Sequence, residues 1–295
     1  MKIPVLNKEM QLIIPTHQRT TCKQQKTWFG LPKSLREQTL IITSTKEDMK
    51  ALRKNLDYEH VYAINDPSID GIAKKRQWLI EHIKSDFIFQ LDDDLTFQHR
   101  CKKKYRQVND KNLWEVKPKY KGKINFIELQ GFDEDWKDKA WQSFFTKIFN
   151  GGFVHGGLGV RMGNNRDPLE YKIVGRAMQA IFNHRKTLLK HGIKFDDVRF
   201  REDFHVTMSL LCRGYPNIVN NRLIVNPEAF GKAGGCSDER TIEASNKEAV
   251  RLAKRHHPFV KTVKKEYNTS VHRTEVVCYW AKAYQSAKKQ DRRIK

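Results

Sequence analysis

The stretch that most limits what this chain can become is Asp86-Phe87-Ile88-Phe89-Gln90-Leu91-Asp92-Asp93-Asp94-Leu95-Thr96-Phe97, where a short apolar run meets three adjacent carboxylates. An apolar run of this length, rich in strand-favouring residues, reads as a buried strand of a parallel sheet. Open α/β sheets place their ligands at the carboxyl ends of such strands. Three neighbouring acids repel one another, so the stretch calls for a cation. Oxygen-only ligands favour a hard ion, Mg²⁺ or Mn²⁺, usually shared with substrate phosphates. The plain alternative is a solvated acidic turn, and the elements that precede the strand weigh against it.

Those elements alternate strand and helix. Residues 10–14 form an apolar strand that runs into Pro15-Thr16-His17-Gln18-Arg19-Thr20. The proline forces an extended exit, and the threonines suit the cap of a helix reaching about Trp28 and ended by Gly30-Leu31-Pro32. A second strand at 40–43, a helix at 46–56 and a third strand at 60–64 follow, the last closing on Asn65-Asp66-Pro67. Residues 71–84 carry Ile72, Trp78, Leu79 and Ile83 at helical period, and the aspartate strand comes next. Such repeats imply right-handed crossovers and a parallel sheet with a nucleotide site along its carboxyl edge. Neither GxGxxG nor GxxxxGK[ST] occurs here, so a dinucleotide dehydrogenase and a P-loop enzyme are poorly supported. A nucleotide would instead be held by the 15–19 loop, by Asp66, and by Lys75 and Arg76 on the helix after Gly71. From that helix the Arg76 guanidinium can reach a diphosphate bidentately.

Charge narrows the partner. Over 295 residues, 56 Lys and Arg against 34 Asp and Glu give +22, which points to a polyanion, nucleic acid first. A peripheral membrane site is the alternative. Five cysteines without CxxC spacing argue for a reducing compartment rather than a disulfide framework. With no apolar leader and no run approaching about 18 apolar residues, the expectation is a soluble, cytoplasmic protein.

Farther along, residues 98–123 interleave Arg100, Lys102, Lys103, Lys104, Arg106, Lys111, Lys117, Lys119, Lys121 and Lys123 with Tyr105, Trp114 and Tyr120. That mixture fits phosphate contacts with base stacking; a solvated hairpin is the other reading. Residues 126–129 look like a strand, and Asp133-Glu134-Asp135 like a structural turn. The glycine-dense 149–161 segment, with Gly156 and Gly157, reads as part of a donor-sugar or acceptor pocket, because glycines let backbone N–H groups approach a ligand. Residues 171–192 read as largely helical, capped by Gly192. Glu202 and Asp203 open an apolar helix, where they favour its dipole, but Arg199 and Arg201 crowd them as in a structured polar site. A strand at 217–225, a lid-type loop at 231–237 and a helix at 241–255 follow. His256-His257-Pro258 reads as an ordinary surface segment, a further metal ligand being the alternative, and the basic tail beyond 262 as a solvated or DNA-contacting helix that frays.

The 15–19 loop, the Gly71-Ile72-Ala73-Lys74-Lys75-Arg76 helix, Asp92-Asp93-Asp94 and the later Arg201-Glu202-Asp203-Phe204 stand in an order that resembles GT-A glycosyltransferases with a DXD motif. More narrowly the chain resembles the TET/JBP-associated glycosyltransferases, which include the enzyme that glucosylates hydroxymethyluracil to make base J and viral relatives, bacteriophage ones among them, acting on hydroxymethyl-pyrimidines in DNA. The resemblance covers about residues 10–260. It implies a GT-A, Rossmann-like, mostly parallel sheet flanked by helices over residues 1–262, with a basic insertion at 98–147 and a basic helical extension at 263–295. It implies that Asp92 and Asp94 serve a Mn²⁺ or Mg²⁺ ion and that Asp93 serves the nucleotide or sugar of a UDP-sugar donor. Pro15, Thr16, His17 and Arg19 would line the nucleotide with Arg76 nearby, and Glu202-Asp203 would supply the general base, Asp203 before Glu202.

The expected reaction is therefore metal-dependent transfer of a sugar from UDP-sugar to the hydroxymethyl group of 5-hydroxymethylcytosine or 5-hydroxymethyluracil in DNA, with inversion and with the base flipped from the duplex. A glycosyltransferase acting on protein or envelope glycan is the first rival. A Mg²⁺-dependent nuclease or DNA-binding protein is the second. Viral origin would put the enzyme in the host cytoplasm.

Overall fold

The computed structural model describes residues 6–101, 105–108, 113–116, 125–129, 132–161, 169–227, 241–267 and 269–294. Its centre is a sheet in the order β3-β2-β1-β4-β11-β9-β12-β5-β8. Strands β1 (Met10–Pro15), β2 (Thr39–Thr43), β3 (Val61–Ala63) and β4 (Phe87–Leu91) are mutually parallel. Their side chains alternate between two covered faces, as a pleated strand dictates. Leu12, Ile14, Ile41, Phe89 and Leu91 enter one core, with Ile13, Leu40, Ile42 and Ile88 in the other.

Helices close both faces. The short α1 (Lys26–Gly30) and α2 (Lys33–Arg36) lie between β1 and β2, and α3 (Lys46–Leu56) between β2 and β3. Thr45 caps α3 by accepting from the Asp48 amide at 3.1 Å, and Leu52 and Leu56 cover the first face. Helix α4 (Gly71–His82) leads into β4 and buries Leu79 and Ile80 against the second face. Helix α5 (Glu134–Asn150) returns to the first face with Trp141, Phe144 and Ile148, and the Trp141 and Phe89 rings meet edge-on at 5.8 Å. Each such side chain stabilises the fold by roughly 1.5–3 kcal/mol when fully buried.

Beyond β4 the sheet is mixed. Strand β11 (Ala180–His184) runs antiparallel between β4 and β9 (His155–Val160), and β9 is parallel to β12 (Ile218–Asn226). Strands β5 (Thr96–Cys101) and β8 (Asn125–Glu128) extend it antiparallel, and β10 (Tyr171–Ile173) pairs with β12. Strands β6 (Tyr105–Val108) and β7 (Leu113–Val116) form a separate hairpin. The α/β expectation holds, with the parallel strands gathered around β1 and β4.

Several local expectations are corrected. The 171–192 segment is β10 and β11 followed only by the short helix α6 (Arg185–Lys190), because Ala180, Ile181 and Phe182 are all buried in the middle of the sheet. Gly192 does end that helix, at φ 58°. The helix expected to reach Trp28 is a 3₁₀ turn at Cys22–Gln24 plus α1. Much of the 98–147 insertion is framework, since β5, β8 and α5 belong to the central sheet and its core. Helix α7 (Glu202–Leu211) and helix α8 (Ile242–Arg255) stand where the sequence puts them. The tail beyond 262 is not one helix: β13 (Val260–Tyr267) and β14 (Thr269–Cys278) form an antiparallel hairpin before α9 (Trp280–Ile294). Its threonines, valines and aromatics suit a pleated, half-buried surface. His256 is buried rather than a surface residue, with Nε2 2.8 Å from His205 Nδ1. The lid-type loop at 231–237 lies outside the described residues, as do Tyr120 and every lysine of the 98–123 stretch.

Candidate functional site

Every strand of the parallel set ends at the same edge, which brings the loop after β1 beside the turn after β4. That turn is Asp92-Asp93-Asp94, and neighbours that the sequence does not announce hold its shape. The Thr27 amide donates to the Asp93 carbonyl at 3.2 Å, and Thr27 Oγ1 accepts from the Leu95 amide at 2.9 Å. The Thr27 hydroxyl also donates to the Asp92 carbonyl. The Asp92 amide donates to the Gln179 carbonyl at 3.0 Å.

Two arginines answer the three acids. Arg19 Nη1 lies 2.5 Å from Asp93 Oδ1 and 3.1 Å from Asp94 Oδ2. Thr16 Oγ1 donates to Asp93 Oδ2 at 2.5 Å. Buried Gln25 ties the loop together, donating to the Arg19 carbonyl at 2.7 Å and to Thr16 Oγ1 at 3.2 Å. From α4, Arg76 Nη2 meets Asp92 Oδ1 at 2.6 Å, and its Nη1 is 3.5 Å from Glu202 Oε1 at the start of α7. The pair Glu202-Asp203, distant in sequence, thus stands against the aspartate edge.

Burial sets the electrostatics. Desolvation pushes Asp92 up to about 6 despite Arg76, and Asp93 up to about 7 despite Arg19 and Thr16. It also raises Glu202, against the pull of Arg76 and with the push of Asp203. For Arg76 desolvation acts the other way, but Asp92, Glu202 and Asp203 outweigh it and hold the guanidinium charged.

Backbone strain gathers here too. Among the described residues six non-glycines have positive φ, and four of them, Gln18, Asn65, Gln179 and Arg201, flank this edge. Residues held in such conformations concentrate at functional sites. Arg201, at φ 68°, is the residue immediately before the acid pair.

The site residues expected from sequence fall into three groups. Pro15 ends β1, and Thr16, Arg19, Asp92, Asp93, Asp94, Glu202 and Asp203 converge through the contacts above. His17 stands next to them with Nδ1 2.8 Å from Ser44 Oγ. Asp66 and Gly71 occupy the neighbouring loop. Asp66 is exposed and accepts from the Ser68 amide and hydroxyl at 2.9 and 2.7 Å, which lowers its pKa, and Gly71 starts α4 at φ 76°.

Two expectations change. Arg76 is only 2% exposed and engaged with carboxylates, so it positions Asp92 and Glu202 instead of reaching into solvent for a diphosphate. Gly156 and Gly157 are interior to β9, not part of a ligand loop. A Cβ on Gly156 would lie 2.0 Å from the Ile218 carbonyl oxygen, and one on Gly157 2.1 Å from that of Ala180. Close strand packing accounts for both glycines.

Asp92 and Asp94 fit a divalent ion. Both are carboxylates, their side chains are 28% and 22% exposed, and the contacts above engage Oδ1 of one and Oδ2 of the other. Oxygen donors of this kind suit Mg²⁺ or Mn²⁺, which keep waters and substrate phosphates in the rest of the shell. Among the described residues no group of three or more His, Cys, Asp and Glu side chains forms a metal cluster. No helix among them is long and apolar enough to cross a membrane.

No curated protein matches the sequence. Among solved structures, S. aureus TarS 1-349 in complex with UDP superimposes with a TM-score of 0.43 at 11% identity, over 82% of this chain and 65% of that one. A second S. aureus TarS structure gives 0.42 at 15% identity, and this chain spans 39% of its length. Glucosyl-3-phosphoglycerate synthase from Mycobacterium tuberculosis, in complex with Mn²⁺, UDP and glucosyl-3-phosphoglycerate, gives 0.48 at 11% identity over 90% of each chain. Over residues 10–132, which hold the loop after β1, Arg76 and the three aspartates, the chain matches the TET-associated glycosyltransferase family.

Proposed function

We propose that this protein is a GT-A glycosyltransferase that moves a sugar from a UDP-sugar to the hydroxymethyl group of 5-hydroxymethylcytosine or 5-hydroxymethyluracil in DNA. The observation that carries the reading is Arg76. By meeting Asp92 at 2.6 Å and Glu202 at 3.5 Å, it joins a metal-type carboxylate edge to the acid pair Glu202-Asp203. The family match supports sugar transfer, and the +22 charge supports a DNA acceptor.

In this reading Asp92 and Asp94 hold Mn²⁺ or Mg²⁺. When bound, the ion neutralises charge that develops on the departing diphosphate. Thr16, His17 and Arg19 border the nucleotide, and Asp93, clamped by Thr16 and Arg19, fixes the turn. The acceptor hydroxyl attacks the anomeric carbon while the bond from that carbon to the diphosphate oxygen breaks. The hydroxyl proton passes to a carboxylate. Asp203 is assigned that role before Glu202, as the resemblance implies; Glu202 lies 3.5 Å from Arg76. Attack opposite the leaving group inverts the anomeric centre. A base flipped out of the duplex presents the hydroxyl, at a cost of a few kcal/mol.

The test compares D203N with E202Q. D203N should lower kcat for transfer by at least about 100-fold, the lower range for a general base, with binding of UDP unchanged. If E202Q is the crippled variant and D203N keeps most of its activity, the base assignment is reversed. If neither changes transfer, α7 does not carry the base.

A further inference from the structure

We infer that the hairpin β13–β14 and helix α9 form a nucleic-acid platform that holds the phosphate backbone of the DNA acceptor beside Glu202-Asp203. The inference deepens the reading above and rests on it for the identity of the acceptor.

The platform is built onto the helix that carries the acids. Phe204, which directly follows Asp203, meets the Trp280 ring edge-on at 5.5 Å. Ala283 of α9 and Val260 of β13 share a buried cluster with Met208 and Leu211 of α7. Arg201, which directly precedes Glu202, donates to the Ser245 carbonyl at 2.9 Å and to that of Thr274 in β14 at 3.5 Å. Its guanidinium is also 3.6 Å from Glu275. The hairpin and the acid pair are therefore in fixed register.

Its outer surface is basic. Residues 260–295 contain ten Lys and Arg against three Asp and Glu. One face of the hairpin, with Val260, Val276 and Cys278, turns inward to the core. The other exposes Lys261, Lys265 and Arg273, and Lys265 is directly opposite Arg273 in the ladder. A second convergence lies at the start of α9, where the ammonium groups of Lys261 and Lys282 sit 5.9 and 4.9 Å from the same half-buried Tyr279 ring. Lysines gathered around an accessible aromatic make a surface that binds phosphates and stacks a base.

An anionic lipid surface would use the same charge, but it also takes inserted apolar side chains. Among the described residues of this unit, the large apolar side chain that stands out as exposed is Val277, at 38%. The balance of charge and ring favours nucleic acid.

The test uses the full chain and the quadruple variant K261S/K265S/R273S/K282S. Binding is measured from 50 to 200 mM salt on a duplex carrying one 5-hydroxymethylcytosine, with metal-dependent UDP-sugar hydrolysis and melting followed in parallel. DNA affinity should fall at least tenfold, and the slope of log K against log salt should flatten by about 0.9 for each phosphate that the variant no longer neutralises. Hydrolysis should stay within twofold of the parent. An affinity within twofold and an unaltered slope overturn the platform. A loss of binding to phosphatidylserine vesicles with DNA binding intact overturns it in favour of a membrane. A parent that binds DNA through these residues but turns over no UDP-sugar keeps the platform and defeats the glycosyltransferase reading.

Discussion

Replacing Arg76 with methionine removes one buried guanidinium from between the part-exposed Asp92 and the buried Glu202 and leaves the apolar stem. Arg76 is 2% exposed, 2.6 Å from Asp92 and 3.5 Å from Glu202. Breaking a buried pair by deleting one partner costs about 3–5 kcal/mol, because the remaining charge is uncompensated. The cost must depend on pH. Burial already raises Asp92 to about 6 and raises Glu202, and without Arg76 both move higher. A carboxylate whose folded pKa lies above its unfolded value binds more protons when folded, so stability falls as pH rises from about 4 through the folded pKa. The slope is about 1.4 kcal/mol per pH unit for each such group. Urea denaturation at pH 5 and pH 8 reads the result. R76M should lose about 3–5 kcal/mol at pH 8 and distinctly less at pH 5. The triple variant R76M/D92N/E202Q should recover much of the loss at pH 8. A deficit under about 1 kcal/mol, ordinary for any point change, or one equal at both pH values, would refute the role given to Arg76.

Asp94 should be dispensable for folding and essential for turnover: D94A should keep its melting temperature within about 2 °C, as for a surface change, yet lose metal-dependent transfer. Retention of most activity would end its assignment as a metal ligand. Gly157→Ala should destabilise by about 1–3 kcal/mol or more, since the new Cβ would lie 2.1 Å from the Ala180 carbonyl oxygen. A neutral result in urea denaturation would mean that β9 and β11 separate easily. Burial lowers His155 to about 4, with Thr207 Oγ1 2.7 Å from its Nε2 and Asn183 Oδ1 2.9 Å from its Nδ1. The unfolded chain then binds more protons between about pH 4 and 6.5, so stability from this group is lost on acidification through that window. H155Q should flatten the acid limb of the stability–pH curve, and superimposable limbs would show that His155 does not drive it.

The parallel half of the sheet was legible because each element there depends on local pattern. Apolar runs of five or six residues make β1, β2 and β4, and Thr45 followed by helix formers makes α3. The aspartate turn was legible because three adjacent acids need cationic partners, and Arg19 and Arg76 stand against them. Three other things depended on packing across long separations. The fully buried Ala180-Ile181-Phe182 run has the composition of either strand or helix, and only its place between β4 and β9 decides. Gly156 and Gly157 look like a ligand loop until neighbouring carbonyl oxygens are seen where a Cβ would go. The exposure of Arg76 could not be read from helical period, which shows a face but not what lies over it. Thr27 and Gln25 carry no sequence signal of their own, because their work is to satisfy the backbone and side chains of a turn formed far along the chain.

In the proposed reaction this carboxylate edge transfers a sugar to a modified base in DNA. Its most direct test is incubation of the full chain with Mn²⁺, a panel of UDP-sugars and DNA containing or lacking 5-hydroxymethylcytosine or 5-hydroxymethyluracil, followed by digestion and nucleoside mass spectrometry. A gain of one sugar mass is expected on the modified nucleoside, absent from unmodified DNA and lost on chelation of the metal. UDP-sugar hydrolysis that depends on metal, with no mass gain on any DNA, would contradict the acceptor assignment and move it to protein or glycan.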